Sequence, residues 1–340
     1  MNKKDITLLS GNEILQLFEG RELEIIEAVK SAYIIHARGE SSLPHSSFLR
    51  FPDNERDRII ALPAYLGGEF NLAGIKWISS FPGNLEKKLE RASAVLLLNS
   101  TLTGRLEAIL ESSVISSSRT AASAALAAHH LLGDKLADRV GLIGCGLINF
   151  ETLRFLMAIR PEIESVFIHD LSPERAEQFM NKCSRLSAKI KISVLKDPAA
   201  VFSEASVTAF ATTAIKPHIF DISECTPDKV ILHTSLRDLS PEIILSADNI
   251  VDDTDHICRA QTSVHLAEQK SGNRNFIRCT LADILNRTAP QRQPEKVSVF
   301  SPFGLGVLDL AVGKLACTLA VAENVGTSIE SFFPTPWTER

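Results

Sequence analysis

The run Arg139-Val-Gly-Leu-Ile-Gly-Cys-Gly-Leu-Ile-Asn149 constrains this chain more than any other stretch. An apolar segment breaks at Gly144-x-Gly146 and resumes at helical period over 147–159, the pattern of a strand, a glycine turn and a helix. In a parallel α/β unit such a turn aims free backbone N–H groups and a helix N-terminus at a pyrophosphate, and the glycines let the backbone approach it without side-chain collision. A lone G-x-G carries little weight, but here a second strand, Ser165-Val-Phe-Ile-His169, follows the helix and ends in Asp170. An acid at that place meets the ribose 2′-hydroxyl of NAD. Residues 171–173, Leu-Ser-Pro, supply no cation for a 2′-phosphate, so NAD is expected rather than NADP. The third small position of the fingerprint is Asn149, which sets the helix slightly farther from the strand. The competing reading is that the two glycines only make a tight turn and Asp170 caps the next helix.

The chain has 340 residues and 45% hydrophobic content, enough for two domains with a sizeable core. A formal net charge of -5, with no basic run to neutralise a row of phosphates, excludes general nucleic-acid binding. No stretch approaches the roughly 20 apolar residues that span a bilayer, and the start, Met-Asn-Lys-Lys-Asp-Ile-Thr, leads into no secretory h-region. The expectation is a cytoplasmic protein with no membrane partner. Six cysteines are scattered without a C-x-x-C pair or a Cys/His cluster at zinc spacing, and the histidines, the His129-His130 pair included, are dispersed. No metal site is expected. Cys145, inside the glycine turn, reads as a packed bystander rather than an activated thiolate.

Residues 11–38 read as two helices, followed by β-type runs at 48–51, 58–65, 73–79, 94–98 and 105–110 between Gly, Pro, Asn and Asp signals. An Ala-rich stretch over 112–132, free of Gly and Pro, predicts a helix bridging into the next domain. From 139 to about 300 strand and helix alternate. Strands are expected at 139–144, 165–169, 207–212, 229–235 and 249–252. Ser172-Pro173, Asp197-Pro198 and Ser240-Pro241 each place a cap residue before a Pro at the first helical position. The segment 306–323, apolar at helical period, returns to the first domain. The expected fold class is therefore α/β: a Rossmann-type, doubly wound parallel sheet with a discontinuous α+β domain built on an antiparallel sheet. The first domain spans 1–118 completed by 310–340, and the NAD-binding domain spans 119–309.

Basic residues gather in the first domain: Arg50, Arg58, Lys76, Arg91 and Arg119 lie on or beside predicted strands and the bridging helix. Lys76, between Ile75 and Trp77, points to the strand face opposite its neighbours. Singly, each cation also fits a solvated face. Together with their contexts they resemble the ornithine cyclodeaminase/mu-crystallin family. The resemblance rests on Gly74-Ile-Lys76, Ser-x-Arg119-Thr-Ala-Ala, Gly144-x-Gly146 and Ser301-Pro-x-Gly304-x-Gly306-x-x-Asp309, and covers nearly the whole chain. The segments 57–63 (Asp-Arg-Ile-Ile-Ala-Leu-Pro), 74–78 (Gly-Ile-Lys-Trp-Ile) and 90–99 are similar to one branch in particular. That branch comprises the dehydrogenases of N-(2-amino-2-carboxyethyl)-L-glutamate that supply 2,3-diaminopropionate for staphyloferrin B and related siderophores.

The resemblance implies NAD-dependent oxidative hydrolysis of a substrate with three carboxylates, giving 2-oxoglutarate and L-2,3-diaminopropionate. Arg58, Arg91, Arg119 and, less centrally, Arg50 are candidates for carboxylate binding, since an Arg fork holds a carboxylate in a fixed orientation. Lys76 either binds a carboxylate or lowers the substrate amine's pKa and stabilises developing charge. Family position points to Asp238, in Ser235-Leu-Arg-Asp238-Leu-Ser-Pro241, as general acid/base; the alternative is that Asp238 or Ser240 caps the helix at Pro241. Ornithine cyclodeaminases carry a glycine pair where this chain has Leu236-Arg237, which argues against simple ornithine cyclisation. Cofactor contacts are assigned to Arg119, Thr120, Gly144, Gly146, Leu147, Ile148, Asp170, Thr212, Thr213 and Ser235, with a plain strand-end turn as the alternative for the two threonines. A homodimer joined through the first domain's sheet is implied. The rival readings are ornithine cyclodeaminase, ketimine reductase or alanine dehydrogenase chemistry on the same scaffold, and a non-catalytic NAD-dependent ligand binder.

Overall fold

The computed structural model describes residues 5–339; residues 1–4 and Arg340, which the expected first domain includes, lie outside the described residues. The chain divides into two compact units, Met1–Arg119 with Leu305–Arg340, and Thr120–Gly304. The junctions expected at 118/119 and 309/310 thus fall at 119/120 and 304/305, so Arg119 and Asp309 belong to the first unit.

The first unit opens with β1 (Ile6–Leu9), α1 (Gly11–Phe18) and α2 (Glu22–Ala37). Ser10 and Glu13 form a capping box that starts α1. The strands β2 (Ser41–Ser42), β3 (Ser47–Phe51), β4 (Asn54–Leu66), β5 (Leu72–Ser80), β6 (Ala92–Ser100) and β7 (Leu106–Glu111) follow. The bridging helix α3 (Ser113–Leu132) leads into the second unit.

There β8 (Arg139–Ile143), α4 (Leu147–Ile159), β9 (Ser165–His169), α5 (Pro173–Cys183), β10 (Lys191–Val194), α6 (Pro198–Glu204) and β11 (Val207–Phe210) come first. Then come β12 (Val230–His233), α7 (Pro241–Ser246), β13 (Asp248–Val251), α8 (Thr254–Ile257), α9 (Ser263–Ser271), β14 (Ile277–Thr280), α10 (Leu281–Leu285) and β15 (Ser298–Ser301). The chain returns to the first unit with α11 (Gly306–Glu323) and β16 (Thr327–Ile329).

The second unit's sheet runs β10-β9-β8-β11-β12-β15-β13-β14, and every pairing is parallel. Its central strands are buried on both faces, which is why they read as continuous apolar runs rather than alternating ones. The Ser172, Asp197 and Ser240 side chains accept the backbone N–H bonds that start α5, α6 and α7, each with Pro in the first turn. Two strands are shorter than expected. The ladder ends at Phe210 and at His233, so Thr212, Thr213 and Ser235 stand in the loops beyond the strands' C-terminal ends.

The first unit's sheet runs β16-β1-β7-β6-β5-β4-β2, with β3 paired to β4. It is mixed rather than purely antiparallel, because β1 pairs parallel with β7. The strands β1, β2, β10, β14, β15 and β16, of two to four residues each, were not expected from the sequence, since so short a run carries too few alternations. Along β4, β5 and β6 the register sets Leu62, Lys76 and Leu96 in one row, and their face holds the buried Ala64, Leu66, Leu72, Leu98 and Leu110. The opposite face presents Ile59, Ala61, Ile75, Trp77 and Leu97, with Trp77 42% exposed.

Helix α11 packs on the buried face, and Gly74 makes room for it. A Cβ at Gly74 would lie 2.3 Å from the Leu97 carbonyl oxygen and 2.8 Å from Leu310 Cδ2, inside any real contact distance. Gly74→Ala is expected to destabilise the protein by about 1–3 kcal/mol through overpacking, read from urea unfolding. An unchanged midpoint would show that both the β6 backbone at Leu97 and α11 at Leu310 yield to the added methyl without cost.

Candidate functional site

In the first unit, strand alternation turns Lys76 onto the buried face of the sheet, where 2% of it is exposed. Its Nζ donates to Asp309 Oδ2 at 2.7 Å and to Ser116 Oγ at 3.1 Å. Arg119 Nε reaches the other carboxylate oxygen, Oδ1, at 3.3 Å, and its Nη2 lies 3.5 Å from the same Ser116 hydroxyl. One fully buried carboxylate thus holds two cations, leaving a net positive charge. Burial lowers the Lys76 ammonium from its ordinary value to about 8; Asp309 opposes the shift and Arg119 adds to it.

A second basic group stands on the same sheet face. Arg50 pairs directly across from Arg58, and Arg58 across from Ser80, four residues along β5 from Lys76. Arg91 donates to Ser80 Oγ at 2.9 Å, and burial pushes its guanidinium below the usual value. Two guanidinium-bearing residues thus stand directly opposite on adjacent strands.

In the second unit the glycine turn follows β8. Gly144 has φ +97, and a Cβ there would sit 2.5 Å from the Ala211 carbonyl oxygen, so only glycine fits. A Cβ on Gly146 would meet nothing within 4 Å, so the turn is open on that side. Gly146 caps α4 without a side-chain bond, leaving the first backbone N–H groups of a 13-residue helix available to an anion. Leu147 is 47% exposed beside them, and Ile148 is half-buried.

Asp170 is not the cap of α5, which is Ser172; its carboxylate accepts from Cys145 N at 2.8 Å and Ser172 N at 2.9 Å. Asn149 is buried and its amide donates to the carbonyls of Ile143, at 3.0 Å, and Gly144, at 2.8 Å, pinning the turn where a small residue would only make room. Burial pushes the Cys145 thiol up to about 12, which leaves no thiolate at neutral pH. Turn, helix N-terminus and acid together fit a dinucleotide.

A third group lies past β11 and β12. Asp238 is fully buried and does not cap α7, a task Ser240 performs. Its Oδ1 accepts from the Thr212 hydroxyl and from His218 Nε2 at 3.1 Å, and its Oδ2 accepts from the Ser235 hydroxyl. His233 Nε2 stands 3.3 Å from Oδ2 and 3.1 Å from the Asp238 backbone N, with Nδ1 3.3 Å from Ser301 Oγ. Burial raises the Asp238 carboxyl, but His233, Ser235 and Thr212 more than offset this and hold it well below the usual carboxylate range. Leu236, where the resemblance has glycine, adopts φ 68, a strained conformation for a bulky residue.

The structure therefore brings Lys76 and Arg119 together, aligns Arg50, Arg58 and Arg91 on one sheet face, and joins Thr212 and Ser235 at Asp238. Thr120 follows Arg119 in α3, half-buried, while Thr213 is exposed in its loop. Sequence reading assigned no role to Asp309, His218 or His233. Asp309 has a legible signal: it is the one charge in the apolar segment 307–312, and a charge inside an apolar helix needs a partner. His218 carries no such signal, because only the fold sets it beside Asp238.

A parallel sheet with this turn and acid defines a dinucleotide-binding unit of the Rossmann type. The chain belongs to the ornithine cyclodeaminase/mu-crystallin family, whose model matches residues 18–324. It is 28% identical over 339 residues to the N-((2S)-2-amino-2-carboxyethyl)-L-glutamate dehydrogenase of Staphylococcus aureus, covering 98% of each chain. An archaeal alanine dehydrogenase dimer with bound NAD has a TM-score of 0.83 at 28% identity, covering 97% of this chain and 100% of that one. The Δ1-pyrroline-2-carboxylate reductase of Thermococcus litoralis, in complex with NADH and L-proline, has a TM-score of 0.87 at 23% identity, covering 95% and 100%. The relatives it matches include dehydrogenases and reductases that act on amino acids or imines.

Asp309→Ala would leave two cations buried without their counter-charge. It is expected to cost about 3–5 kcal/mol in chemical unfolding. A loss below about 1 kcal/mol would mean that water or another group neutralises Lys76 and Arg119 equally well.

Proposed function

We propose that this protein catalyses NAD-dependent oxidative hydrolysis of N-(2-amino-2-carboxyethyl)-L-glutamate to 2-oxoglutarate and L-2,3-diaminopropionate, for siderophore or related secondary-metabolite biosynthesis. The observation that carries the reading is the number of cations gathered in the first unit, on and beside one face of its sheet. Lys76 and Arg119 share a single carboxylate, and Arg50, Arg58 and Arg91 align beside them. A substrate with one carboxylate needs few of these groups; one with three engages them all. The identity to the Staphylococcus aureus enzyme across nearly the whole chain supports the same choice.

Arg58, Arg91 and Arg119 are assigned to carboxylates, with Arg50 at the exposed end of the row. Guanidinium forks orient the acid and so fix its Cα–H. Lys76 supplies a further positive charge, since Asp309 and Ser116 take only two of an ammonium's three N–H donors. NAD, when bound, accepts the hydride from the glutamyl Cα. For it, the Gly144–Gly146 turn and the N–H groups at Leu147 and Ile148 hold the pyrophosphate, and Asp170 the ribose. Arg119, Thr120, Thr212, Thr213 and Ser235 are the remaining assigned cofactor contacts. Asp238 is the centre of proton handling, since the amine must lose a proton and the attacking water must be activated. A homodimer through the open apolar face around Ile75, Trp77 and Leu97 is the proposed assembly.

With purified protein and NAD, N-(2-amino-2-carboxyethyl)-L-glutamate is expected to yield NADH with equimolar 2-oxoglutarate and 2,3-diaminopropionate, followed by absorbance and amino-acid analysis. Ornithine converted to proline without net NADH would overturn the assignment in favour of cyclodeamination. NADH from alanine alone would favour an alanine dehydrogenase.

The Lys76 charge also sets a pH dependence. The ammonium is protonated below about 8 and lost above it, so carboxylate affinity should fall as pH rises through that value. The KM for substrate is expected to climb between roughly pH 7.5 and 9. In Lys76→Met it should be high throughout and flat. A wild-type KM that does not change over this range would remove Lys76 from substrate binding.

A further inference from the structure

Asp238 has no surface of its own. It is fully buried, and both carboxylate oxygens are occupied by the side chains around them. A group so enclosed needs a partner to exchange a proton with anything outside. Of the four side chains that meet it, two are hydroxyls and two are imidazoles. His233 is fully buried, whereas the His218 side chain is 42% exposed.

The position of His218 is built into the backbone. His218 N and Ile219 N both donate to the Asp238 carbonyl oxygen at 2.9 Å, and Ser240 N donates to Ile219 O at 2.9 Å. A parallel bridge between Ile219 and Leu239 completes the pairing. The two loops are thereby held in register, so the 3.1 Å contact between His218 Nε2 and Asp238 Oδ1 follows from main-chain geometry rather than from a chance rotamer. An ionised carboxylate only accepts, so Nε2 carries the hydrogen. Nδ1 is then the nitrogen whose lone pair faces away from Asp238.

We propose that His218 and Asp238 act as a dyad in which His218 Nδ1 takes up the proton released by the substrate, while Asp238 fixes the ring's tautomer and holds the imidazolium that forms. This rests on the reading of Asp238 as the centre of proton handling and names the atom that does the exchange. The step balances: the substrate N–H bond breaks, its proton bonds to Nδ1, and Nδ1 later gives it to water, restoring the neutral ring. A buried acid orienting an imidazole is the division of labour in Ser-His-Asp sites, where the carboxylate itself is not protonated. The charged group in contact with His218 is Asp238, whose other carboxylate oxygen faces His233.

Two measurements test this. In the first, His218→Ala is expected to lower kcat by about 10²–10⁴-fold with NAD affinity and melting temperature near wild type. Free imidazole in the buffer should restore part of the rate, and the acid limb of the kcat profile should disappear. Near wild-type kcat at every pH, or a loss that imidazole does not relieve, would overturn the proposal. The second needs no turnover: nitrogen NMR of the histidines in the free protein, with His218→Ala assigning the signal. The Nε2–H tautomer is expected for His218, altered in Asp238→Asn. An Nδ1–H tautomer indifferent to Asp238→Asn would equally overturn it. Failure of the proposed substrate would instead show as wild-type protein making no NADH, while the NMR outcome still decides the dyad.

Discussion

The buried carboxylate of Asp309 is the contact on which the first unit's chemistry rests. Two cations within hydrogen-bond distance of one another's partner, removed from water, would repel and empty the site of charge unless a counter-charge joined them. Asp309 does this from α11, a helix otherwise apolar over 307–312 and packed on the sheet through the space left by Gly74. Packing of α11 and ionisation of Lys76 are thus one problem. A residual positive charge remains, and burial leaves the ammonium poised near the upper end of the physiological range.

The second unit solves a different problem, presenting N–H donors rather than charges. Gly144 accepts a conformation closed to other residues, Asn149 ties the turn to the carbonyl ends of β8, and Asp170 ties it to the end of β9. The result is a hydrogen-bonded rim with an open helix N-terminus whose N–H groups are set in place to meet an anion. Beside it, the strain at Leu236 is tolerated because the loop it belongs to is held at both ends. Ser263 N donates to the Leu236 carbonyl oxygen at 2.7 Å, and Asp238 is bonded on every side.

Much of this was readable in the residues. The strand, turn and helix at 139–159, the Ser-Pro and Asp-Pro helix starts and the bridging helix are local signals, each set by backbone sterics or a cap within a few residues, and they appear where expected. Lys76 on the face opposite Ile75 and Trp77 follows from strand alternation alone. Short edge strands such as β10 and β14 were not readable, because four residues without a continuous apolar run show neither a period nor a buried-strand signal. The alternatives left open at Asp170 and Asp238 also needed coordinates, since a cap and a ligand acid share the same sequence context.

What the sequence determined by itself is the class of fold and the chemistry of its parts: a nucleotide turn, an acid after the second strand, a set of cations in the first domain and the strand face that Lys76 takes, each read from its own short stretch of chain. Tertiary structure alone decided the partnerships. Lys76 meets Asp309 across 233 positions and Asp238 meets His218 across 20. Such pairings carry no periodic trace, because they are fixed by sheet register and loop pairing, and only there does a buried carboxylate acquire the cation or the imidazole that gives it a role.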